Sequence, residues 1–226
     1  MAAGAPGTTI RQQYVRRLEA IEARVSDMAD LARAMLRDGV HALAGLDAGL
    51  GHEVFGRREQ LAAIDEEIEA EILHFLMLQA PVAGDLRRIG AALKLITYLN
   101  RVGRYGSDIA RVAMDWPAGH EHIAKLVGIR EMAAKVEGML DQVLQAFHGN
   151  KAPDLGVLET SEEDVDAMRY AIFRECLTYM AEDPRNIEAC AHYMMVARYL
   201  ERCADNVCKM AEKQYYAATG KRVIVG

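Results

Sequence analysis

Apolar positions recur at spacings of three and four along most of this 226-residue chain, the period of helices that bury one face. The clearest stripe is Tyr193, Val196, Ala197, Leu200, Ala204, Val207 and Ala211. No stretch alternates Val, Ile and Thr with polar residues in the manner of a strand. The pattern predicts a first helix from about Ile10 to Leu46, ending where Gly45, Gly49 and Gly51 interrupt it. A second runs from about His52 to Gln79, and a third, with Pro81 in its first turn, reaches about Asp115. Trp116-Pro117-Ala118-Gly119 then breaks the chain. Three more helices follow: Glu121 to Phe147, Asp154 or Ser161 to Ala181, and a sixth opened by an Asp183 cap and Pro184. Short turns make antiparallel neighbours. The fold class read from this pattern is all-α, two tandem antiparallel three-helix bundles over residues 10–116 and 117–220. Residues 1–9 read as a disordered arm and 221–226 as a frayed tail.

The second half repeats the first at an offset of 101 residues. Leu99-Asn100-Arg101-Val102-Gly103-Arg104 returns as Leu200-Glu201-Arg202-Cys203-Ala204-Asp205, and Ile109-Ala110 as Met210-Ala211. Ile64-Asp65 matches Val165-Asp166, Val25 matches Leu126 and Leu43 matches Leu144. A period this long exceeds that of solenoid repeats and signals an internal duplication of a whole bundle.

Composition supports the helical reading: hydrophobic residues make up 51% and aromatics only 6%, with five prolines. The net charge of −6 carries no basic stripe, which excludes a nucleic-acid footprint. No basic segment followed by an apolar one opens the chain, and no uncharged run approaches a membrane span, so the expectation is a cytoplasmic protein without membrane insertion. Cys176, Cys190, Cys203 and Cys208 form no CxxC pair and read as small buried hydrophobes.

Chemistry concentrates on one hairpin. Glu162 and Asp205 are equidistant from the Asp183–Pro184 turn, and so are Asp166 and Glu201. In an antiparallel pair, equidistant residues stand at the same height. Each helix contributes its two acids at i and i+4, hence on one face. Four carboxylates can therefore meet on one patch. Two such charges about 4 Å apart repel by about 4 kcal/mol at an effective dielectric of 20. A hard cation held by oxygen ligands relieves that cost; so does a salt-bridge network with Arg198 and Arg202. In the first half the equivalent positions are Leu61, Asp65, Asn100 and Arg104, a degenerate site in which one acid survives beside a cation.

Three further stretches complete the resemblance these residues carry. Gln79-Ala80-Pro81-Val82-Ala83-Gly84-Asp85-Leu86-Arg87 resembles the Q-x-P-x-A-x-D-L-R turn of the PhoU family, regulators of bacterial phosphate uptake and signalling. Tyr179-Met180-Ala181-Glu182-Asp183-Pro184-Arg185-Asn186-Ile187 is similar to its Y-M-x-E-D-P-R-x-I turn, and Ala197 to Asp205 to its A-R-x-x-E-R-I-x-D signature. The resemblance implies two three-helix bundles side by side, no enzymatic activity, and metal sites built from paired E/D-x-x-x-D motifs. It places one metal site, of Glu162, Asp166, Glu201 and Asp205, in the second half, for Mg, Mn, Fe, Zn or Ca. It implies a cytoplasmic, homodimeric adaptor that negatively regulates phosphate uptake and the phosphate-starvation response. Its implied partners are a phosphate ABC transporter and a phosphate sensor histidine kinase. The alternative is a metal-independent helical interaction protein, or a paralogue serving a different circuit.

Other candidates carry less. A di-iron site needs two Glu-x-x-His pairs, and Glu71-Ile72-Leu73-His74 has no counterpart. His120-x-His122 reads as linker polar residues at a helix start, because a spacing of two does not share a helical face. Met28, Met35, Met77, Met132, Met139, Met180, Met194 and Met195 read as core packing. Arg87, Arg88 and Arg185 stand at the two turns that the duplication places alike.

Overall fold

In the computed structural model, which describes residues 6–116, 121–123 and 127–225, six long helices form two three-helix bundles, and no strand occurs among the described residues. Helices α1 (Pro6–Gly45), α2 (Ala48–Leu78) and α3 (Ala83–Met114) make the first; α4 (Val127–His148), α5 (Leu155–Glu182) and α6 (Ile187–Thr219) make the second. The α6 stripe from Tyr193 to Ala211 is buried along its whole length.

Several boundaries differ from expectation, each for a local reason. Residues 6–9, assigned to the arm, are already helical, while 1–5 lie outside the described residues. Gly49 and Gly51 do not interrupt a helix; they sit in the first turn of α2, because Asp47 caps it by accepting the Leu50 amide at 2.9 Å. Pro81 falls in the turn ahead of α3 instead of within its first turn. Residues 121–123 are not helical, so α4 starts later than Glu121; the break at 117–120 lies outside the described residues. Asp154 caps α5 through the Val157 amide at 3.2 Å. Asp183 accepts the Arg185 amide at 2.9 Å and starts one 3-10 turn, Pro184–Asn186, from which α6 continues. Met77 and Met195 are exposed, not core, at 77% and 46%.

The carboxy-terminal tail does not fray over its described length. Gly220 takes a φ of +74°, a left-handed conformation that glycine adopts without a Cβ clash, and turns the chain back over the bundle. Val225 is buried, its amide donates to Glu212 at 3.2 Å, and Lys209 reaches its carbonyl at 3.5 Å.

One hydrophobic core runs through both bundles. They join along α3 and α6, with α1 against α4. These are the pairs that the duplication equates, so the seam brings equivalent residues together: the Cys203 thiol lies 4.0 Å from the carbonyl of Val102, its counterpart 101 residues earlier. Tyr105 stacks on Tyr199 across the same seam, at 5.9 Å between ring centroids. Arg33 pairs with Asp141, and Ser26 bonds His148 at 2.6 Å, between α1 and α4. Where the first bundle is tightest, Gly39 of α1 faces Gly106 of α3 so closely that a Cβ on Gly39 would stand 2.2 Å from the Gly106 carbonyl oxygen.

Candidate functional site

The α5–α6 hairpin carries the four carboxylates, Glu162 and Asp166 from α5, Glu201 and Asp205 from α6. The structure brings them to one patch, close enough to act on one another electrostatically. Partial burial, and then the negative charges of Asp166 and Asp205, hold the Glu162 carboxyl above its ordinary range, with Glu201 adding to the effect. Glu201 is more deeply buried, 8% exposed. Its desolvation, then Asp205, raise its pKa, against the opposing pull of Arg198, Arg169 and Arg202.

Arginines occupy part of the patch. Arg198 donates to Glu201 Oε1 at 2.5 Å and Arg202 to Asp205 Oδ2 at 3.2 Å, both one turn apart on α6. The second Glu201 oxygen, Oε2, is buried with no hydrogen-bond partner. Among the described residues no three His, Cys, Asp or Glu side chains are grouped tightly enough to hold a metal ion as they stand. The donor chemistry therefore suits a hard cation, with an orphaned buried oxygen available to it, while the present geometry is that of an arginine-neutralised patch.

The groove over Glu162 and Asp205 has a volume of about 350 Å³ and a wall that hairpin geometry alone does not predict. Tyr98, Arg101 and Tyr105 of α3 line it from the first bundle, and Val225 of the tail lines it too. Arg169, on α5, also escapes the carboxylate count, although its charge acts on Glu201. No spacing within α5 or α6 points to α3, because the groove is a product of the seam between bundles.

The first-half counterpart is dismantled. Leu61 is fully buried and packs over Gly103. Asp65 keeps a carboxylate, raised by burial and bonded by the Asn100 amide at 2.8 Å. Arg104 is exposed and pairs with no acid among the described residues, so an amide hydrogen bond, not the expected cation, satisfies Asp65.

The remaining candidates resolve individually. Glu71 is bonded to Arg24 at 3.2 Å instead of approaching a metal. His122 is a tie between elements, 2.8 Å from the Tyr193 hydroxyl and 2.8 Å from the Leu43 carbonyl, with Trp116 packed on its ring at 5.0 Å. His120 lies outside the described residues. All four cysteines are free and buried, and burial pushes the Cys176 thiol up to about 12. Arg88 pairs with Glu22 and Arg185 with Asp183.

Two three-helix bundles related by duplication, with an acidic patch on one hairpin, define a class of all-helical tandem-bundle proteins. The family model of the PhoU domain matches twice, over residues 25–113 and 129–214. This chain belongs to the PhoU family. It is 33% identical over 212 residues to the phosphate-specific transport system accessory protein PhoU homolog of Caulobacter vibrioides, covering 94% of this chain and 92% of that one. The protein of the same description from Rhizobium meliloti is 32% identical, with 93% and 89% covered. The crystal structure of PhoU from Pseudomonas aeruginosa superposes with a TM-score of 0.86 at 29% identity, over 92% of this chain and all of that one.

Proposed function

We propose that this chain is a phosphate-transport accessory protein: a non-enzymatic cytoplasmic adaptor that restrains phosphate uptake and the phosphate-starvation response. The observation that carries the reading is the double PhoU-domain match, together with relatives described as phosphate-specific transport accessory proteins over nearly the whole chain. No helix among the described residues is long and apolar enough to cross a membrane. An adaptor must instead meet a transporter and a sensor kinase through its surface. Two apolar rows support this: Leu73, Met77, Leu78, Val82 and Leu86 around the α2–α3 turn, and Leu177 and Ile187 around the α5–α6 turn with Phe173 and Tyr170 further down α5, all exposed. Side chains of that kind, repeated at the tips of both bundles, suit protein contacts better than water.

We further propose that Glu162, Asp166, Glu201 and Asp205 take one hard cation when Arg198 and Arg202 turn outward. Both arginine side chains are more than 40% exposed. Ion pairs of that exposure are worth about 0–1 kcal/mol, less than even weak ion binding. Mn²⁺ or Mg²⁺ at about 100 times its Kd is expected to add about 2.7 kcal/mol, a rise in Tm of roughly 5–10 °C for a protein of this size. Asp205→Ala abolishes that shift and Asp65→Ala preserves it. No shift in the wild type favours the second reading, a metal-independent interaction bundle or a paralogue in another circuit, for which the existing arginine pairs speak. Deleting the gene tests the regulatory role: phosphate-starvation genes are expected to be expressed in high phosphate, and an unchanged reporter would overturn the assignment.

A further inference from the structure

A second cavity, of about 550 Å³, lies between the start of α3, the end of α6 and the returning tail, away from the four carboxylates. Its wall carries Arg87, Lys94, Lys213 and Arg222 against one carboxylate, Glu212. That carboxylate is already satisfied, by Lys209 at 2.8 Å, Lys213 at 3.1 Å and the Val225 amide at 3.2 Å. Arg87 and Lys94 make no ion pair among the described residues, and Arg87 Nε is buried without a hydrogen-bond partner. On a chain of net charge −6, so many cations facing one hollow form a local inversion of sign. The remaining wall is apolar, from Leu86, Ala91 and Val223, with the Tyr216 ring beneath the Arg222 guanidinium at 5.5 Å.

We propose that this cavity binds an organic phosphoanion of the nucleotide class. Guanidinium and ammonium groups together fit phosphate oxygens, the guanidinium in a two-pronged manner. The volume decides between a bare anion and a larger ligand: it falls within the roughly 300–1,000 Å³ of small-molecule sites, many times the roughly 30 Å³ that one water occupies in the liquid. An inorganic phosphate would leave the Tyr216 and Val223 wall untouched, whereas a base or sugar covers it. The tail supplies Arg222 and Val223, which reach the site because Gly220 turns the chain back.

Calorimetric titration of the full chain in EDTA tests this, with ATP, pyrophosphate and inorganic phosphate as separate ligands. ATP is expected to bind once per chain, at least about tenfold more tightly than either inorganic anion. Arg87→Gln and Arg222→Gln are each expected to weaken ATP by about tenfold or more. Gly90→Phe, at a helical position where an added Cβ meets nothing within 4 Å, projects a ring into the cavity and is expected to remove the preference for ATP over pyrophosphate. Circular dichroism verifies that the variants fold, and the exposed Arg222 and Gly90 changes keep the test decisive if Arg87→Gln does not. Absence of saturable ATP binding would overturn the proposal, as would ATP binding indifferent to these changes. Equal affinity for ATP and the inorganic anions would also overturn it, in favour of a simple anion site.

Discussion

At the level of single residues, Glu162 shows how the acidic patch couples to pH. Its carboxyl is held above the ordinary 4.5 by desolvation and by Asp166 and Asp205, so the folded protein keeps this proton more firmly than the unfolded chain. Stability is therefore fullest below 4.5 and declines as pH rises through the folded value. Glu162→Gln removes the declining part. In EDTA near neutral pH the variant is expected to be more stable in urea by about 0.5 kcal/mol, the scale of a partly exposed charge interaction, and the gap closes below pH 4.5. Under the proposed cation binding, added Mn²⁺ is expected to reverse the sign, because the substitution then deletes a ligand. A variant that is less stable than wild type in EDTA would refute the repulsion. Residue types and spacing disclosed these four acids. What they did not disclose was Arg169, or the Asn100 amide on Asp65, since both depend on rotamers and on a neighbouring helix.

At the level of elements, the two bundles differ in how closely their helices approach. A Cβ on Gly106 would lie 2.6 Å from the Leu36 backbone, whereas the duplicated positions of Gly39 and Gly106 are Leu140 and Val207. Gly106→Ala is expected to cost about 1–3 kcal/mol through overpacking, read as a lower urea midpoint; an unchanged midpoint would show that α1 can yield. Helix identity was legible wherever the apolar period was long, as in α6, and least so at the ends. The start of α4 differs from the expected Glu121 because the bonds of His122 to Leu43 and Tyr193 hold that stretch out of a helix. The tail differs from expectation for a similar reason. Its Val223 and Val225 have no helical period, and only the fold provides the surface that buries Val225.

At the level of the whole molecule, two copies of one motif behave as a single body, because one core spans them and His122 ties α1 to α6. Unfolding is expected to be one cooperative transition, with far-ultraviolet circular dichroism and the fluorescence of Trp116, the single tryptophan, tracing the same curve. Two separated transitions would show that the halves fold independently. His122→Ala is expected to lower the stability of that common transition by about 1–2 kcal/mol, since it removes two hydrogen bonds between elements, while the Ile123 amide still serves the Tyr193 hydroxyl and the Leu46 amide the Leu43 carbonyl. The contact of Cys203 with Val102 has an evolutionary corollary. When a gene doubles and the twins press against each other at matching places, neither drifts freely there: added bulk at Cys203 meets the backbone of its own sibling, Val102. Divergence is freer away from that line, as between α2 and α5, where Leu61 of one twin stands in the place of Glu162 of the other.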